Sequence, residues 1–197
     1  MNRSLYFLLF LISLTSSVAF SQQNQSIEVK EYVLKNGLTV MLNENSESSN
    51  IYGVVGVKAG GKNDPKDATG IAHYLEHVLF KGTQELGTTD YESERVYLDS
   101  ISKLYEILSE KKSEEKRSII QKEINRISIK ASQYAIPNEL DKLLKQMGGL
   151  DINAFTNEDY TAYYNSFPPN QINRWLEIYS HRFQNPVFRL FQSELET

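Results

Sequence analysis

Two histidines and a glutamate set the chemistry this chain can do. They stand as His73-Tyr-Leu-Glu76-His77 within Gly70-Ile-Ala-His-Tyr-Leu-Glu-His-Val-Leu-Phe-Lys-Gly-Thr83. Histidines four positions apart on a helix lie one turn above each other on the same face, where both rings can reach one metal ion. Glu76 is three positions from His73, near enough to that face to reach a metal-bound water. The order His-x-x-Glu-His inverts the better-known helix motif of zinc peptidases. The chain has only 3 histidines, and two of them fall here. An ordinary helix with surface histidines and a salt-bridging glutamate would show the same five residues, so the surroundings must decide.

A catalytic zinc has three protein ligands and one open position for water. His73 and His77 supply two. The metal would lower the pKa of its water and polarise a scissile carbonyl. Glu76 would take the water's proton and pass it to the leaving amine. The chain has no cysteine, so thiolate ligands and disulfides are excluded, and zinc must be held by imidazole nitrogen and carboxylate oxygen.

The elements that position these residues begin after a leader. Arg3, the apolar run from Leu5 to Leu14 and the small residues around Ala19-Phe20-Ser21 predict a secretory signal peptide over residues 1–21. The apolar run is too short to span a bilayer comfortably, which leaves an uncleaved membrane anchor as the lesser alternative. The chain is therefore expected to be exported, periplasmic or extracellular in a bacterium, with no transmembrane segment after signal cleavage. Residues 22–29 read as a flexible leader, and residues 30–197 as one domain. The formal charge is −4, with no basic stripe, which argues against nucleic acid as a partner.

Residues 31–35 and 38–42 read as strands around Asn36-Gly37, a strong hairpin signal. Residues 51–58 read as a well-buried strand ending at Gly60-Gly61. Asp67 or Thr69 can cap the motif helix, with Lys81 in its last turn and Gly82 beyond. Its apolar positions Ile71, Tyr74, Leu75, Val78 and Leu79 oppose the histidines. From Tyr91 to Tyr134 two charged amphipathic helices follow, joined by a charge-rich turn over residues 109–117. Tyr97, Ile101, Leu104, Tyr105 and Leu108 mark the inner face of one, and Ile120, Ile124, Ile127, Ala131 and Tyr134 that of the other. Their charges read as solvated faces. A short helix follows Pro137-Asn138, carrying Leu140, Leu143, Leu144 and Met147. Strands are predicted at 151–156 and 160–165. A last helix after Pro168-Pro169 puts Ile172, Trp175, Leu176, Tyr179 and Phe183 inward. His181 reads as a surface or helix-end residue. Ser193-Glu-Leu-Glu196 is a capping box one residue before the final Thr197, so we read the chain as truncated. The fold class is α+β: an antiparallel sheet with helices packed mainly on one face, plus a helical hairpin insertion.

Gly70-x-x-His73-x-x-Glu76-His77 with Phe80-Lys-Gly-Thr83 closely resembles the zinc metallopeptidases of the pitrilysin and insulin-degrading-enzyme family, which includes the mitochondrial processing peptidase. The Asn36-Gly37 hairpin, the strand before Gly60, Asn153-Ala-Phe-Thr156 with Asp159-Tyr-Thr and Tyr163-Tyr164, and Asn185-Pro-Val-Phe188 match in order. Residues 91–136 stand outside the usual pattern as an insertion. The resemblance implies that His73 and His77 bind Zn2+ and that Glu76 is the catalytic base. It implies a third ligand, a glutamate on a later helix, the second of two acidic positions two turns apart. Glu194 matches the first, a supporting residue, which puts the third ligand beyond Thr197. Glu196 is a poorer substitute within the same first turn. Asn153, Ala154 and Phe155 match the edge strand on which an extended peptide is laid by β-augmentation. A plain hairpin strand packed on the core accounts for Phe155 equally well. The partners implied are a peptide or unfolded protein substrate and a second homologous half or subunit. The expected function is that of the N-terminal catalytic domain of an exported zinc metalloendopeptidase, inactive alone as written. A non-catalytic peptide-binding or scaffold domain of the same fold, or a gene fragment, is the alternative. The intact His73, Glu76 and His77 weigh against it.

Overall fold

A computed structural model describes residues 28–190. The expected signal peptide, most of the expected leader and the capping box read at Ser193 lie outside the described residues. The chain divides into two compact units, one ending at Glu47 and the other beginning at Ser48.

The described part of the first unit is a hairpin of β1 (Val29–Val33) and β2 (Thr39–Asn43), in register from Val29↔Asn43 to Val33↔Thr39. Asn36 and Gly37 do turn the chain, but in a longer loop than a two-residue turn. Leu34 N–H donates to Leu38 O at 2.9 Å, Gly37 takes φ 85°, and the Asn36 side chain accepts from Leu38 N–H at 3.1 Å.

The second unit is built on a three-stranded antiparallel sheet in the order β3-β5-β4, of β3 (Ile51–Val57), β4 (Leu150–Thr156) and β5 (Thr161–Phe167). As the central strand, β5 is buried along almost its whole length. One sheet face carries Ala154, Tyr163 and Phe167, and against it pack the motif helix α1 (Ile71–Val78), α4 (Glu139–Gln146) and α5 (Ile172–Gln184). The α5 stripe is Trp175, Ile178, Tyr179 and Arg182, at helical spacing. Leu176, expected inward, is exposed, and Arg182, not expected there, is buried. Asn165, on the same sheet face, accepts from Trp175 Nε1 at 2.8 Å and Tyr179 OH at 2.9 Å, which fixes the helix rotation. The opposite sheet face carries a cross-strand row of Tyr52, Tyr164 and Phe155. On β3 only Gly53 is buried, so the expectation of a well-buried strand fails: within this unit helices cover one of its faces.

The charged segment is a helical hairpin, α2 (Tyr91–Glu110) and α3 (Glu114–Ser132), with a core of Ile101, Leu108, Ile124 and Ala131. The turn is only residues 111–113, shorter than the charge-rich stretch suggested. Glu114 and Glu115 favour the α3 N-terminus, and Arg117 reaches back to the Leu108 and Lys111 carbonyls at the end of α2. Both ends of the hairpin meet, with Thr89 N–H on Tyr134 O at 2.8 Å and Ile136 N–H on Gly87 O at 2.9 Å. Among the described residues no helix is long and apolar enough to cross a membrane.

Candidate metal centre

The motif helix is short and is held at both ends by side chains from elsewhere. Its N-cap is Gly70 at φ 88°, which has no side chain to cap with. The cap comes from Asp64, whose carboxylate accepts from Gly70 N–H at 2.6 Å and Ala72 N–H at 3.0 Å. Asp67 and Thr69 do not cap it; the acid that does lies one loop further back. That loop is pinned on the β4–β5 turn, where Gly61 N–H donates to Asn157 O at 2.9 Å and Lys62 pairs with Asp159. A Cβ on Gly60 would stand 2.2 Å from the Asn157 carbonyl oxygen, so only glycine fits.

The helix ends at Val78, with Leu79 as C-cap, so Lys81 lies beyond its last turn. Arg182 Nε donates to Leu79 O at 3.0 Å, and the guanidinium lies over Phe80 and Tyr163. Burial pulls the Arg182 pKa below its ordinary value, against the opposing pull of Tyr179, Tyr163 and Glu76. Burial pushes the Tyr163 phenol up to about 12. After the helix, residues 81–86 are gripped by Arg189. It bonds Lys81, Leu86 and Thr83 carbonyls at 2.8, 2.9 and 2.7 Å and the Glu94 carboxylate at 2.9 and 3.1 Å.

On this helix His73 and His77 present Nε2 atoms 3.2 Å apart, with their rings edge-to-face. Two nitrogens bound to one tetrahedral zinc at ordinary Zn–N lengths stand about 3.3 Å apart. The donor pair therefore fits zinc. Among the described residues no third histidine, cysteine, aspartate or glutamate joins them. Glu194 and Glu196 lie outside the described residues.

Glu76 is buried, only 7 % exposed, whereas Ile71 and Leu75, expected to bury, are exposed. The Glu76 carboxylate is held by a hydrogen bond from Thr156 Oγ1 to Oε2 at 2.7 Å. Thr156 ends β4, the strand that carries the three expected substrate residues. Asn153 is exposed, and its side chain accepts from Ala154 N–H at 2.9 Å. The Ala154 side chain is buried in the core, and Phe155 packs on Tyr160 and Tyr164. Asn153 and Phe155 share the open sheet face, while Ala154 and Thr156 share the face that meets α1. His181 sits near the end of α5, with Nδ1 3.7 Å from Glu85, apart from the metal pair. Sequence reasoning missed Asp64, Thr156, Arg182 and the Glu94–Arg189 pair. The opposed threonines of a hairpin end were the signal available for Thr156; the others come together only through the fold.

Residues 39–98 and 124–197 match the family described as Insulinase (Peptidase family M16), with the break inside the helical hairpin. A zinc protease of Bacillus subtilis, YmxG, is 23 % identical over 160 residues, covering 81 % of this chain and 27 % of that protein. A probable mitochondrial-processing peptidase subunit beta of Schizosaccharomyces pombe is 43 % identical over 51 residues, 26 % of this chain and 11 % of that one. Among solved structures, a protease from Helicobacter pylori superposes with TM-score 0.55 at 22 % identity, covering 84 % of this chain and 28 % of that one. Pitrilysin gives TM-score 0.54 at 18 % identity, with 88 % and 13 % covered. These two likenesses establish the α+β fold. The match covers between 11 % and 28 % of the length of these four proteins.

Proposed function

The chain belongs to the insulinase family of peptidases, family M16, and on that premise we propose that it is the N-terminal catalytic domain of an exported zinc metalloendopeptidase acting on extended peptides. One observation carries the reading: two imidazole nitrogens at a zinc-like separation of 3.2 Å, on the same helix as a buried carboxylate that the sheet holds in place. Zinc, when bound, supplies a Lewis acid for the peptide carbonyl and a water of lowered pKa. His73 and His77 would hold it through Nε2. Glu76 takes the proton of the attacking water and returns it to the leaving amine. The β4 edge, with Asn153, Ala154 and Phe155, receives the substrate as an added strand. Glu194 supports the site, the third ligand is a glutamate two turns past it, and a second homologous half closes over the peptide. A chain without that third ligand and second half would bind zinc weakly and not cleave. Residues 1–21 direct export.

Zinc content and peptide cleavage, measured on this chain and on one extended past Thr197, test the reading. In the extended protein Glu76→Gln should abolish cleavage while zinc is retained. A Glu76→Gln protein that cleaves at the unaltered rate would remove Glu76 from its role as base.

A further inference from the structure

The register of the last hairpin sets two threonines face to face, Thr156 opposite Thr161. Directly opposed side chains of an antiparallel pair share one face of the sheet, and here their hydroxyl oxygens stand 3.2 Å apart. Each also touches a further oxygen. Thr156 Oγ1 is 2.7 Å from Glu76 Oε2, and Thr161 Oγ1 is 3.0 Å from the Ala59 carbonyl just past β3. A line of four oxygens thus joins the motif helix to β4, β5 and the segment that follows β3.

Counting protons gives this line a direction. Thr156 Oγ1 donates to Glu76 Oε2, the carbonyl can only accept, and each hydroxyl has one proton to donate. Thr161 can direct its proton to Ala59 O or to Thr156, but neither choice supplies Glu76. Of the two hydroxyls, Thr156 is the one that donates to the carboxylate. Thr161, 5 % exposed, stands directly behind the donor. Thr156 is β-branched and sits in a strand, so its hydroxyl has few rotamers open to it. The position of the donor is therefore set by the sheet, whereas the carboxylate it holds rides on an eight-residue helix at the end of a flexible side chain.

We propose that Thr156 is the positioning residue for Glu76: its hydroxyl fixes Oε2 and leaves Oε1 as the oxygen that meets the reacting water, with Thr161 buttressing it. The proposal rests on the reading of Glu76 as base and deepens it. A base must lie within hydrogen-bond reach of the proton it takes, and misplacement by about 1 Å costs on the order of 100-fold in rate. Thr156 also closes the strand that offers Asn153 and Phe155 to the peptide, so one piece of sheet sets both substrate and base.

Two measurements test it. The first needs no activity: thermal melts of the metal-free 197-residue chain, with Thr156→Val made alone and on a Glu76→Leu background. Thr156→Val should lower Tm by about 2–4 °C where Glu76 is present and by much less where it is not. Equal shifts on both backgrounds would overturn the coupling. The second uses the zinc-loaded protein extended past Thr197. There Thr156→Val should lower kcat about 10- to 100-fold with KM and zinc stoichiometry unchanged, and Thr156→Ser should recover most of the rate. An unchanged kcat, or a serine variant as slow as valine, would overturn positioning by the hydroxyl. If Glu76→Gln cleaves normally, the base reading itself fails; if it is inactive while Thr156→Val is not, only the role of Thr156 fails.

Discussion

Arg182 and Arg189 are both buried, and the fold treats them in opposite ways. Arg189 places all its donors on a carboxylate and three carbonyls. Arg182 makes one hydrogen bond through Nε, while Nη1 and Nη2 have none and the cation is held over aromatic rings. Removing one member of a buried ion pair leaves the other charge uncompensated and costs about 3–5 kcal/mol. Arg189→Met should therefore destabilise by about that much, because Glu94 stays buried without its partner. Arg182→Met strands no paired carboxylate, and should cost only about 1–2 kcal/mol for the Leu79 carbonyl and the ring contacts. Urea unfolding of the two variants checks the contrast; equal losses would mean that the aromatic rings hold a cation as firmly as a carboxylate does.

Helix ends separate what the sequence makes legible from what it does not. Asp90 caps α2 from the adjacent position, accepting from Ser93 N–H at 3.2 Å and Ser93 Oγ at 2.6 Å. The Ser93 bonds hold its carboxyl below the usual carboxylate range. A group whose pKa is depressed on folding stabilises the native state above its unfolded pKa, and that contribution is lost as pH falls through the folded value. The first turn of α2 should thus loosen at acid pH, seen as a shift of the Ser93 amide resonance, and Asp90→Ala should remove that dependence. The inner stripes at Ile101, Leu108, Ile124 and Ala131 and the β4–β5 hairpin follow from periodicity and turn residues. The His73–His77 pair was legible for the same reason: helical spacing alone sets it. Asp64 capping across a loop, Arg182 turned inward with Leu176 outward, and Thr156 reaching Glu76 were not. Each depends on the sheet and helices meeting, and no spacing along the chain encodes that.

At the scale of the molecule, the metal centre draws on separate parts of the chain. The helix offers two imidazoles and the sheet secures the carboxylate, and in the function proposed above the remaining ligand comes from a later glutamate. Folding and metal binding are then linked, since a ligand that binds only the native state stabilises it by about 2.7 kcal/mol at 100 times its Kd. A pair of histidines with no third protein ligand is a weak site, because zinc bound there completes its coordination from water. Excess zinc should therefore move the Tm of the 197-residue chain by about 1 °C or less, and that of a protein extended past Thr197 by several degrees. His73→Ala should abolish the larger shift, which ties it to the motif rather than to scattered surface carboxylates. Calorimetry with and without a chelator reads all three proteins. Stoichiometric, chelator-resistant zinc in the 197-residue chain would show that the ligand set is already complete, and would return Glu194 or Glu196 to the metal.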